Sequence, residues 1–113
     1  MSTTMIPPGA NNNPGTTATD AFQTLTPPNA NAGIFLHGIT YSVDITPPAG
    51  STLTITWNDG SARTITLYLG SVTGPGYVRM EGNAQFPKGV AVTVKIPAAT
   101  GMKGSIYPLA EYR

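Results

Sequence analysis

The sequence predicts an all-β fold, an antiparallel β-sandwich or jelly-roll-like barrel of about six strands, behind an extended N-terminal arm. Three observations predict it. From Gly33 onward, apolar and polar residues alternate in short runs, the period of strands with one buried face. Clusters of Gly and Pro separate those runs, and no stretch carries the apolar spacing of a helix. Before Gly33, the composition turns to Pro, Asn, Gly and Thr, in which neither period can propagate.

A chain of 113 residues has the size of one domain. Residues 1–32 read as the arm, with Pro7-Pro8-Gly9, Asn11-Asn12-Asn13-Pro14-Gly15 and Pro27-Pro28-Asn29 along it, and residues 33–113 as the β-domain. The arm's sparse apolar residues, Met5, Ile6, Phe22 and Leu25, are too few for a core of their own and suit anchoring on another surface. A domain of about 80 residues buries only a little more than lone folding needs, so a partner surface would help it.

The first run, Ile34 to Thr46, changes phase. Ile34 and Leu36 alternate on one face and Ile39, Tyr41, Val43 and Ile45 on the other, with Gly38 between them. A bulge at Gly38 would return all of them to one apolar face. Without it, Ile34 and Leu36 would point outward.

The runs Thr52 to Trp57 and Arg63 to Leu69 flank Asn58-Asp59-Gly60, a hairpin signal. A two-residue loop would pair Trp57 with Ala62 and Ile55 with Thr64, setting apolar side chains opposite threonines on both faces. A three-residue loop with Gly60 in the left-handed region pairs Trp57 with Ser61 and Leu53 with Ile65. This register puts Leu53, Ile55, Trp57, Ile65, Leu67 and Leu69 on one face. Thr52, Thr54, Thr56, Thr64, Thr66 and Tyr68 then form the other.

Three runs remain. Tyr77 to Gly82 places Val78 and Met80 inward with Arg79 and Glu81 outward, and Val90 to Ile96 places Val90, Val92, Val94 and Ile96 inward with Thr93 and Lys95 outward. In Ser105 to Tyr112, Ile106 and Tyr112 share one face and Tyr107 and Leu109 the other, as in a strand covered on both sides, with Pro108 marking an edge or a bulge.

Charged residues make up 10% of the chain against roughly 25% in ordinary soluble domains. A polar, uncharged surface suits a chain packed against neighbours. Net charge is +1 with Lys and Arg scattered, which gives no electrostatic footprint for nucleic acid. With Cys 0, disulfides and thiolate metal ligation are excluded. The start, Met1 to Pro8, has neither a basic segment nor an apolar one, and no run of about eighteen apolar residues occurs. Synthesis in a cytoplasm without membrane insertion is the expectation.

Few residues could carry chemistry. His37 is the single histidine and stands beside no nucleophile motif, so an interface or surface role on a strand is favoured over catalysis. Asp20, Asp44, Asp59, Glu81 and Glu111 are spread singly, without the spacing of metal loops or of a general acid and base pair. Gly74-Pro75-Gly76 lacks the Lys and helix of a phosphate cradle and reads as a turn. No catalytic residue and no cofactor is expected. Tyr68 and Tyr77 are candidates for a surface role, and aromatics on an exposed face would stack on sugar rings.

The polar arm, the charge-poor β-domain and the aromatic terminus Tyr107-Pro108-Leu109-Ala110-Glu111-Tyr112-Arg113 together resemble the small cement or decoration proteins of tailed-phage capsids. The resemblance is one of general character across the chain. It implies a β-sandwich or jelly-roll module made in the host cytoplasm and held on the capsid surface. Its partners there are the major capsid protein and neighbouring copies of itself, in an oligomeric assembly with no nucleic acid or membrane contact. Met5, Ile6, Phe22, Leu25, Tyr107, Leu109 and Tyr112 are the expected partner-binding residues. A carbohydrate- or receptor-binding module of a tail or fibre is the alternative.

Overall fold

The computed structural model describes residues 4–5, 21–70, 74–97 and 104–113. Eight strands run through them: β1 (Thr4–Met5), β2 (Ala21–Leu25), β3 (Ile34–Val43), β4 (Thr52–Asn58), β5 (Ala62–Tyr68), β6 (Gly74–Gln85), β7 (Val92–Ile96) and β8 (Gly104–Tyr112). They form two four-stranded antiparallel sheets, ordered β1-β8-β3-β6 and β2-β7-β4-β5. Among the described residues there is no helix and the sheets do not close into a barrel, so the fold is an open β-sandwich. Every connection crosses between the sheets except the β4–β5 hairpin.

The core lies between the two inner faces. One sheet contributes Ile34, Leu36, Ile39, Val43, Ile106 and Ala110, and the other Leu25, Leu53, Ile55, Val92, Val94 and Ile96, all buried. Burying each Leu, Ile or Val is worth about 1.5–3 kcal/mol. Phe86 follows β6, anchored by its N–H to the Ile34 carbonyl (2.9 Å). It meets Trp57 edge-on at 4.9 Å and so joins the end of the core to β4.

β3 carries the bulge its phase change predicts. Both of its ladders shift register between Leu36 and Gly38, and Ile34, Leu36 and Ile39 are all fully buried. Against β8 the extra residue is His37, whereas against β6 the surplus lies on β6, where residues 80–83 stand opposite His37 alone.

The β4–β5 faces agree with expectation, while the register differs by two residues. Asn58 pairs with Ala62, Ile55 with Ile65 and Leu53 with Leu67, leaving Asp59-Gly60-Ser61 as the loop. Gly60 sits at φ 113 and its N–H donates to Asn58 Oδ1 at 2.9 Å. That side-chain turn lets Asn58 remain in the strand, so the loop starts one residue later than expected. A shift of two preserves the faces: Leu53 and Ile55 are buried and Trp57, Ile65, Leu67 and Leu69 pack partly on the core.

Two further differences concern the extent and number of the strands. Gly74-Pro75-Gly76 is not a turn but the start of β6, paired with Val43, Ser42 and Tyr41. β6 is an edge strand, where a proline's missing donor costs no ladder bond. Gly76 lies under the Tyr41 ring, where a Cβ would meet ring carbon Cε1 at 2.8 Å. The second is β2, inside the stretch expected to be arm. It pairs residue for residue with β7 from Ala21↔Ile96 to Leu25↔Val92, and Ala21, Gln23 and Leu25 are buried. Residues 21–25 thus complete the second sheet. The short β1 likewise joins the first sheet, opposite Glu111 and Tyr112 of β8.

Candidate functional site

The two outer faces of the sandwich differ in chemistry. On the β2-β7-β4-β5 sheet, the registers align Thr24, Thr93, Thr56 and Thr64 in one row across all four strands. Phe22, Lys95, Thr54 and Thr66 form the next row. The Thr24 and Thr93 hydroxyls hydrogen-bond at 3.0 Å. This face is short, β-branched and nearly uncharged, with Tyr68 exposed at its margin.

The outer face of β1-β8-β3-β6 gathers aromatic and ionic side chains. At its centre lie two rows, Tyr107–Thr40–Tyr77 and Leu109–Gly38–Arg79, each crossing β8, β3 and β6. Tyr107 and Leu109 are half-buried, whereas Tyr77 and Arg79 are exposed. Gly38 is required by close approach: a Cβ there would meet Tyr77 Cζ at 2.6 Å and the Val78 carbonyl oxygen at 2.8 Å.

Beside these rows the bulge brings His37 to the end of β8. Its Nε2 donates to Glu111 Oε1 at 2.9 Å in the tautomer protonated there, and Arg113 Nη2 donates to the same oxygen at 3.0 Å. The Arg113 guanidinium lies 3.6 Å over the Phe35 ring, and Phe35 meets His37 edge-on at 5.0 Å. Glu111 is buried at 6% exposure, so its charge needs these donors. Backbone bonds fix the geometry, since Gly33 and Arg113 exchange N–H to carbonyl bonds of 2.6 and 2.8 Å. The face thus presents aromatic area whose acid is compensated locally. Among the described residues, no group of three or more His, Cys, Asp or Glu is placed to hold a metal ion.

The residues expected to bind a partner do not come together. Tyr107 and Leu109 share the aromatic face, while Phe22, 36% exposed, lies on the opposite threonine face. Leu25 packs in the chain's own core, and Tyr112 turns inward to pack partly against it. Ile6 and the Met5 side chain lie outside the described residues. Phe35 and Arg113 carry no sequence signal for this site, and Glu111, one of the singly spread carboxylates, gives no sign of its pairing with His37, which is 74 positions away. The phase change at Gly38 was the available signal, since it marks where the sheet is reshaped.

No protein-family model matches the chain, and no curated protein sequence matches it.

Proposed function

We propose that this chain is a structural virion protein, not an enzyme, that binds the outside of a phage capsid and bridges neighbouring major capsid subunits. The observation that carries the reading is the aromatic outer face of the β1-β8-β3-β6 sheet. Tyr77, Tyr107, Leu109 and Phe35 supply contact area there, and the buried Glu111 already accepts hydrogen bonds from His37 and Arg113. Aromatic residues and Arg are enriched in protein interfaces, and uncompensated charge is depleted from their cores. The strand order supports the same reading, because two four-stranded sheets joined by crossing connections are the jelly-roll arrangement used by capsid and lectin domains. Fold analogy alone is a weak warrant for function, so the face and the resemblance in chain character carry more weight.

The mechanism is mechanical. Many copies each bury apolar area on the shell, and their summed contacts raise the energy needed to part its subunits. The test is co-sedimentation with purified capsids, comparing the full chain with a Tyr77→Ala, Leu109→Ser double variant. Loss of binding by a folded variant is expected; undiminished binding would remove this face from the interface. An arm deletion that tests Met5 and Ile6 has to stop before Ala21, because β2 belongs to the sandwich.

A carbohydrate- or receptor-binding module remains the second reading, favoured by the 78% exposure of Tyr68 and 53% of Tyr77. These two rings lie on outer faces of different sheets, so they would act as separate contacts and not as one stacking platform. Retention on a glycan matrix that Tyr68→Ala or Tyr77→Ala abolishes would favour it over the capsid.

A further inference from the structure

We propose that β5 is a self-association edge, pairing antiparallel with β5 of a second copy about a two-fold axis at Ile65. The inference does not rest on the capsid reading and concerns the purified chain alone.

A free sheet edge is a template for pairing unless it is short, bulged, interrupted by Pro or charged. Among the described residues, β1 and β6 have such a device, and β2 is two residues shorter than β5. β1 has two residues, β2 has five with three of them buried, and β6 carries Pro75 and an interrupted register opposite Leu36 and Gly38. By contrast, β5 runs regularly from Ala62 to Tyr68, with β4 as its only strand neighbour among the described residues. It has no Pro and one charge, Arg63, which is paired with Asp59 of its own hairpin at 3.2 Å. Five of its seven residues are exposed.

Hydrogen-bond phase selects the pairing. The Leu69 N–H donates to the Ser51 carbonyl at 2.8 Å, and the ladder keeps this phase every second residue. Odd-numbered residues of β5 therefore bond to β4, and Ala62, Thr64, Thr66 and Tyr68 aim their N–H and carbonyl groups at the free edge. An axis at Ile65 sets Thr64 against the partner's Thr66 and Ala62 against the partner's Tyr68. All four edge residues are then used, whereas an axis at Thr66 leaves Ala62 without a counterpart.

The side chains also favour a second copy as the occupant. On the outer face, threonine meets threonine and each Tyr68 ring covers an Ala62, which leaves room for it. On the inner face Ile65 meets Ile65, and each Leu67, only partly covered by the monomer's core, lies diagonal to the second copy's Ile65 and opposite the aliphatic stem of its Arg63. The two Arg63 side chains start about 13 Å apart along the strands, beyond the screening length at physiological salt. The interface is isologous and closes on itself.

Sedimentation velocity or light scattering on the full chain, up to about 1 mM, tests this. The expected mass is twice the 11.7 kDa of one chain. Thr66→Pro removes an edge-facing donor without breaking the β4 ladder and is expected to yield a monomer with unchanged far-ultraviolet circular dichroism. Should that variant fail to fold, Thr66→Lys places an ammonium from each copy at the junction and is expected to do the same. Deleting residues 1–20 is expected to leave the dimer intact. A wild-type monomer throughout this range overturns the proposal, as does a dimer that survives both edge substitutions. A dimer lost only on deleting residues 1–20 would instead assign the edge to another copy's arm.

Discussion

Tyr77 lays its ring across Gly38 so closely that Cζ stands 2.6 Å from where a Cβ on residue 38 would be. The Val78 carbonyl oxygen closes the same space from 2.8 Å. Gly38→Ala therefore has to displace a side chain that can swing outward and also a backbone group that cannot. A loss of about 1–3 kcal/mol is expected, read as a lower urea midpoint. Adding Tyr77→Ala should recover only part of it, because the carbonyl contact remains. Full recovery would assign the crowding to the ring alone.

Gly38 also illustrates what the sequence made legible. The bulge could be expected because two apolar phases on one strand have to be reconciled if both are to be buried, and Ile34, Leu36 and Ile39 are. The β4–β5 faces were legible for a related reason: side chains repeat every two residues, so a register wrong by two still buries Leu53 and Ile55. The same fact hid the true register. β2 was hidden because Gln23 occupies an inward position, leaving Phe22 and Leu25 three apart, a spacing that fits no strand face. The start of β6 was hidden because an edge-strand proline and a turn proline look alike in sequence. The cluster of His37 with Glu111 depends on pairing between β3 and β8, which no local pattern encodes.

Arg113 donates to a carboxylate that is itself buried, which sets it apart from an ordinary surface ion pair. Exposed pairs contribute about 0–1 kcal/mol, but removing a donor from a buried acid strands part of its charge. Arg113 is itself 43% exposed, which discounts the effect. Arg113→Ala is expected to cost about 1–2 kcal/mol, including the lost stacking on Phe35. Arg113→Lys should restore only part of this, since an ammonium stacks less well on a ring than a guanidinium. A chemical denaturation series at neutral pH measures both, and a neutral Arg113→Ala would show that Glu111 is satisfied without the guanidinium.

Asp59 is held below its ordinary carboxylate value of 3.8 chiefly by the hydrogen bond from Arg63; desolvation opposes it, and the Arg63 charge and backbone hydrogen bonds add smaller lowering effects. A lowered folded value means that the group stabilises the hairpin fully above pH 3.8. The contribution fades as pH falls through the folded value, where the carboxyl takes up its proton. Carboxyl titration by NMR should show the Asp59 midpoint rising toward 3.8 in Arg63→Ala, and added salt should move it the same way in the parent chain. An unchanged midpoint in Arg63→Ala would assign the depression to the loop backbone instead.

Gln23 is 1% exposed, beside Val94 on the inner face of the second sheet, and among the described residues neither Nε2 nor Oε1 finds a hydrogen-bond partner. An amide buried without partners costs about 1–3 kcal/mol relative to one left in water. Replacing it with an apolar side chain of similar length removes that cost and adds contacts to an apolar core. Gln23→Met is accordingly expected to raise stability by about 1–2 kcal/mol, visible as a higher thermal midpoint. Gln23→Ala should fall the other way, because the space it leaves outweighs the relief of the amide. The pair of variants separates the two effects: if Met also destabilises, the amide is satisfied in solution by a bound water, and Gln23 is a polar anchor of β2 instead of a flaw in its packing.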